Sequence, residues 1–164
     1  MANWGHVEFK EIIELNDKLK AFNKNKLLNF VKKVSRELAG RLIAGAAYRT
    51  PVDTGELRAG WTAKTEDEAK SCKLKNPYVY ASRLPVEKNG NVYTITVINP
   101  VEYASYVEYG HRQEVGRLVP GIGRLKRHWI EGQFMLTKAE MELEGELPRI
   151  IENKIYKFLK DALE

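Results

Sequence analysis

Between Leu27 and Arg49, apolar residues recur at helical spacing: Leu27, Phe30, Val31, Val34, Leu38, Leu42, Ile43, Ala46 and Ala47, with lysine and arginine on the opposite side. The pattern predicts one continuous helix over residues 27–49. It is the strongest constraint on the fold, because the rest of the chain must pack along a rod about 35 Å long. Its second half, "LAGRLIAGAA", is rich in small residues, so a sheet is expected to approach the helix axis closely. Pro51 ends the helix, since the residue before a proline is pushed out of the α region.

The next stretch, "RTPVDTGELRAGW", resembles at first sight a phosphate loop or an active-site elbow. A Walker loop needs several glycines and a Gly-Lys-Ser/Thr run that leaves a strand and opens a helix. Here a single glycine, Gly55, comes after a helix. Asp53 and Thr54 are therefore read as side-chain acceptors for the backbone of a tight turn, with Gly55 permitting the reversal. From Leu57 the alternation of Leu57, Ala59, Trp61 and Ala63 with Arg58, Gly60, Thr62 and Lys64 predicts a half-buried strand.

Further along, Asn89-Gly90 lies between strand-like runs and predicts a hairpin, with Val92, Thr94 and Thr96 facing away from Tyr93, Ile95 and Val97. Asn99-Pro100 is placed to cap a short helix, "VEYASYVEYG", that Gly110 stops. Residues 111–131 have no clear periodicity and are expected to form a long loop, a length that in a compact domain usually serves function. Helical spacing predicts two more helices, over residues 8–22 and 133–163, with Pro148 kinking the latter or starting its second half. The first could dock on its own subunit or on a neighbour. The fold class expected is α+β: a small antiparallel sheet over about residues 57–98, packed against the 27–49 helix and the C-terminal helix. No internal repeat or linker divides the chain, so one domain over residues 1–164 is expected.

Several chemistries find little support. A single cysteine, Cys72, excludes an intrachain disulfide and a cysteine-rich zinc site, and reads as a loop thiol. His6, His111 and His128 fall in no metal-ligand spacing. Glu108 and His111 could meet at the end of the short helix, but polar contacts at a surface are the better reading. Asp53 could serve as a general base only if burial raised its pKa. No apolar run approaches the roughly 20 residues that cross a bilayer, and no signal peptide is evident, so a cytoplasmic site of synthesis is expected. The net charge of +5 comes from 27 basic and 22 acidic residues interspersed, which permits nucleic acid without requiring it. "GIGRLKRHW" could track a nucleic-acid backbone, although arginine and tryptophan also anchor protein interfaces.

Three segments taken in order resemble a phage family, the minor tail-component or tail-completion proteins of siphophages and contractile-tailed phages. They are "TPVDTGELRAGW", "NPVEYASYVEYGHR" and "HWIEGQFMLTKAEMELEGELPRIIE". The likeness carries over Pro51, Asp53, Thr54, Gly55, Leu57 and Arg58 as a turn motif. Tyr103, Ala104, Glu108 and Gly110 form a second motif, and Gly132, Gln133, Phe134 and Met135 a third. "EVGRLVPGIGRLKRHW" has no detailed counterpart. The resemblance implies a non-enzymatic virion protein without cofactor or metal, which forms a ring, sixfold in expectation, at the head-proximal end of the tail. Its implied partners are its own copies, the tail terminator and the head-closure or connector protein; basic residues could also line a lumen and contact passing DNA without reading its sequence. Arg117, Arg124, Lys126, Arg127 and Trp129 are the candidate contacts between rings. The alternatives are a nucleic-acid-binding module and a small hydrolase using Asp53 or His111.

Overall fold

The computed structural model describes residues 24–163; the helix expected over residues 8–22 lies outside them. The long helix forms as α1, Lys24–Arg49. After it come three short helices, α2 (Glu56–Gly60), α3 (Glu66–Ala69) and α4 (Pro77–Ser82). A hairpin of β1 (Glu87–Asn89) and β2 (Val92–Thr94) comes next, then α5 (Ala104–Tyr109). Strands β3 (Gly110–Arg112), β4 (Leu118–Val119), β5 (Gly123–Arg124) and β6 (Trp129–Glu131) precede the final helix α6, Met135–Leu163. The fold is α+β, as expected, with most of the framework helical.

The core lies along the second half of α1, where Ala39, Ile43, Ala46 and Ala47 are buried together with Leu57, Trp61, Ala81, Val101, Met135 and Ala139. The small residues of α1 serve a purpose other than the expected one. They admit helices instead of a sheet: a side chain at Gly40 would press on Tyr78 of α4, and one at Gly45 would come within 3.1 Å of the Ala139 Cβ on α6. Farther along, Phe30 stacks on Phe158 with ring centroids 4.2 Å apart, and Glu37 pairs with Lys154. That lysine, with burial acting in the opposite sense and Arg41 adding to it, leaves the Glu37 carboxyl below its usual pKa.

The strand expected from Leu57 is instead the helix α2 and a pair of tight turns, with Thr62 N–H bonded to the Ala59 carbonyl and Ala63 N–H to that of Gly60. The alternation misled because the segment is enclosed on several sides. Leu57, Ala59, Trp61 and Ala63 are buried, but so are Gly60 and Thr62. A side chain at Gly60 would overlap Asn99.

Paired strand within residues 57–98 is therefore confined to β1 and β2, in the register Glu87↔Thr94, Lys88↔Tyr93 and Asn89↔Val92. The two-residue connection is Gly90-Asn91, one position later than expected, with Gly90 at φ 59°. The alternation beyond it holds: Tyr93, Ile95 and Val97 are half-buried while Val92, Thr94 and Thr96 are exposed. Asn99 does not cap α5. It accepts from Val101 N–H and donates to the Leu57 carbonyl, which ties the chain to α2. Pro148 lies within α6, which continues through it to Leu163.

Residues 111–131 are not an irregular loop. They fold back as an antiparallel hairpin, β3 on β6 at the base and β4 on β5 near the tip. Gln113 N–H to the His128 carbonyl (2.8 Å) and Gly116 N–H to that of Leu125 (2.9 Å) bridge the two pairs. Three glycines with positive φ and a proline broke up the period-two pattern.

Thr50 joins α1 to the end of α2. Its buried hydroxyl donates to the Ala46 carbonyl (2.8 Å) and accepts from the Trp61 indole N–H (2.7 Å). Thr50→Val keeps the shape but leaves the indole donor unpaired, which costs about 1–3 kcal/mol. Thermal unfolding monitored by circular dichroism should place the melting temperature about 2–4 °C lower for each kcal/mol lost, with Thr50→Ser close to wild type.

Candidate functional site

The turn motif forms the corner at the end of α1. Pro51, Val52, Asp53 and Thr54 are exposed, and Leu57 enters the core. Thr54 Oγ1 accepts from the Glu56 N–H at 3.3 Å, as a turn-stabilising side chain should. Gly55, at φ 92°, precedes α2 and offers its carbonyl to Ala59 N–H at 2.9 Å. Asp53 departs from expectation: it has no hydrogen bond or ion pair to the described residues. Its charge instead reaches Tyr103 of the second motif, whose hydroxyl lies 3.5 Å from Glu56 Oε2. Burial first, then Glu56 and Asp53, push the Tyr103 phenol above its ordinary pKa. Arg58 is half-buried, and its Nε is enclosed without a hydrogen-bond partner.

The second and third motifs, more than twenty residues apart in sequence, meet in one junction. Ala104 and Val107 pack toward the core from α5, and Glu108, four residues after Ala104, points inward with them to 5% exposure. There it meets the start of α6. Glu108 Oε2 accepts from Leu136 N–H at 2.9 Å, and Oε1 from Thr137 N–H at 2.9 Å and the Thr137 hydroxyl at 2.8 Å. Burial alone would raise the Glu108 pKa, but these donors together with Met135 N–H outweigh it, and the carboxyl titrates below its usual value. Glu108 and His111 thus form no pair, and the surface role expected for Glu108 is corrected to a buried one. The His111 ring lies edge-on to Tyr106, with centroids 5.8 Å apart.

The backbone of the junction is equally tight. Gln133 N–H bonds to the Val107 carbonyl (2.8 Å) and Phe134 N–H to that of Glu108 (3.0 Å). Any side chain at Gly132 would collide with the Glu108 carbonyl, and any at Gly110, held at φ 85°, with that of Ile130. Phe134 adopts φ 55°, rare for a bulky residue, and its carbonyl receives the first intrahelical bond of α6 from Lys138 N–H. Met135 is fully buried. Gln133 and Phe134 face solvent.

The sequence did contain a signal for this role of Glu108. The first turn of α6 holds no acidic residue, and no Ser, Thr, Asp or Asn precedes it at the capping position, while Glu108 lies on the apolar face of α5. A carboxylate among inward-facing residues and a helix start without its own cap suit each other.

Around the junction the surface is aromatic. Tyr103, immediately before α5, and Tyr106 and Tyr109 on it recur every third residue, all exposed, and Trp129 and Phe134 are exposed as well. The Trp129 ring lies over Gly110, so it adjoins this row. Arg117, Arg124, Lys126 and Arg127 are exposed on the hairpin, Arg124 on β5 nearest the tip and Arg127 beside the base. Among the described residues no cluster of three or more His, Cys, Asp or Glu is placed to hold a metal ion, and no helix is long and apolar enough to cross a membrane.

The motif residues thus brace a corner and a capped junction of an α+β frame, beneath an exposed aromatic row. The chain belongs to the HK97-gp10-like family, described as "Bacteriophage HK97-gp10, putative tail-component", whose model matches residues 13–110. It is thus a member of a phage tail-component family. The match takes in the first two motifs and ends at Gly110, so the hairpin and the third motif lie beyond it. No curated protein and no solved structure matches the chain.

Because the folded pKa of Glu108 is depressed, its contribution is present above the ordinary carboxylate pKa and lost as pH falls through the folded value. Glu108→Gln turns a charged acceptor into an amide that faces N–H donors, and should cost about 2 kcal/mol near neutral pH. Denaturant unfolding of both forms should give a constant difference down to about pH 4.5 and a shrinking one below it. A difference that grew on acidification would contradict this assignment.

Proposed function

We propose that the protein completes the phage tail: copies assemble into a ring, sixfold in this reading, at the head-proximal end, which joins the tail to the head-closure or connector complex. It offers one surface to its own copies, one to the tail terminator and one to the head-closure protein. In this reading it catalyses no reaction, needs no cofactor or metal, is assembled in the host cytoplasm and ends in the virion. The whole chain acts as one domain, and basic side chains on the lumen side neutralise passing DNA without reading its sequence.

Membership of the tail-component family supports the setting. The structural observation that carries the assembly reading is the exposed row of Tyr103, Tyr106 and Tyr109 with Trp129 beside it. Tyrosine, tryptophan and arginine are the side chains that most often anchor protein interfaces. The Glu108 junction beneath holds them on a fixed backbone, which limits the ordering cost of binding. The base of the hairpin, with Arg127 and Trp129, is the proposed contact between rings. Rigidity at the Thr50 to Arg58 corner suits a closed ring, in which angular errors between subunits accumulate.

Native mass measurements of the purified protein, alone and with the tail-terminator protein of the same gene cluster, test the reading. A discrete ring-sized complex is expected, whereas a chain that ignores the terminator and instead shifts duplex DNA would favour a nucleic-acid-binding module. The double variant Trp129→Ala/Arg127→Ala should fold normally but yield separate heads and tails, since truncations at such anchors cost about 2 kcal/mol or more each. Infectious particles in normal yield from that variant would remove the hairpin base from the joining step.

A further inference from the structure

We infer that the tip of the hairpin docks on the outward face of α6 in a second copy of this chain, around Met141, so that copies join head to tail. The inference rests on the self-assembly proposed above and names the two surfaces that meet.

The two surfaces are complementary in charge and in apolar character. From Arg112 to Arg127 the hairpin carries Arg112, Arg117, Arg124, Lys126 and Arg127 against a single acid, Glu114. At its tip Leu118 and Ile122 are 67% and 77% exposed. On α6, Glu140, Glu142, Glu144 and Glu146 occupy seven residues with no basic side chain among them. All four are exposed, and Met141, 66% exposed, stands among them. Helical spacing stacks Glu140 and Glu144 one turn apart beside Met141, on the side away from the buried Ala139. An apolar tip rimmed by arginines thus matches an apolar knob flanked on one side by Glu140 and Glu144.

Within one chain these charges do not meet. Among the described residues no ion pair involves Arg112, Arg117, Arg124, Lys126 or Arg127, and of the four glutamates only Glu142 has one, with Arg49 of α1. Among the described residues, the hairpin cations and Glu140, Glu144 and Glu146 thus have no ionic partner, which leaves them for another molecule. Duplex DNA would answer the arginines but offers nothing comparable to the exposed Leu118 and Ile122, whereas Met141 does. Because the two patches differ, the contact is heterologous: each copy uses its hairpin on one side and its α6 on the other, and such contacts close into a ring when the rotation between copies permits.

Charge reversal tests the pairing on the full chain. The variants are Arg117→Glu/Arg124→Glu, Glu140→Lys/Glu144→Lys and all four together, each checked for a wild-type circular dichroism spectrum. Sedimentation velocity is run under the condition in which wild type assembles. Each pairwise variant should be monomeric at concentrations at least tenfold above those at which wild type forms rings. An equimolar mixture of the two should recover rings, because each hairpin then meets an oppositely charged helix, and the fourfold variant should form rings alone. Rings from either pairwise variant at wild-type concentrations would overturn the inference. So would a failure of the mixture and the fourfold variant to assemble, or a hairpin variant that loses duplex DNA binding yet still forms rings. A wild-type chain that stays monomeric with and without the terminator defeats the proposed ring itself, a result distinct from the others.

Discussion

The start of α6 is the point on which the rest of the molecule depends. A helix N-terminus leaves four backbone N–H groups without intrahelical partners and concentrates partial positive charge there. This helix starts with Met135 fully buried and Leu136 and Thr137 half-buried, and has no capping side chain of its own, so those groups would lack partners inside the protein. Glu108 supplies two carboxylate oxygens to Leu136 and Thr137 from another helix, and its negative charge is favoured by the same dipole. The bond is long-range in sequence, so it fixes where α5 stands relative to α6. Once that is set, the approach of Gly110 to Ile130, the seating of Gly132 against Glu108 and the left-handed turn at Phe134 are dictated by the path the backbone must take.

From that start α6 runs back along α1, and the contact uses opposite means at its two ends. Near the junction the helices meet through the smallest side chains available, Gly45 against Ala139, so the backbones approach closely. Toward Leu163 they are held by the Phe30 and Phe158 rings and by the Glu37 to Lys154 pair. Small-residue contacts tolerate little change in volume, whereas stacked rings and long charged side chains accommodate adjustment. The molecule is therefore most closely specified where the motif residues gather.

Features set by near neighbours in the chain were legible from the residues. The α1 helix ends before Pro51, Gly110 closes α5, and the alternation from Val92 to Val97 divides as read, because each depends on local geometry and a single exposed or buried face. Legibility failed where burial came from several directions at once. Leu57 to Ala63 alternate like a strand, yet they lie in a helix and turns whose intervening glycine and threonine are buried too. The hairpin was hidden because Gly116, Pro120, Gly121 and Gly123 interrupt any regular pattern while supplying the turns it needs. At the junction, sequence marked the residues of the second and third motifs but not their meeting. Glu108 among inward-facing residues and the uncapped start of α6 are each legible, but nothing local to either joins the two across the twenty-eight residues from Glu108 to Leu136.

The hairpin leaves the body of the protein at Gly110 and returns at Glu131, and these two residues are paired across the ladder. Departure and return thus share one doorway. A segment attached in this way can be lengthened, shortened or exchanged with little strain on the frame beneath it, because the separation of its ends is fixed by the junction. The body and the hairpin are consequently free to diverge at different rates, and related phages could alter how such a chain engages its neighbours while inheriting the same helical frame.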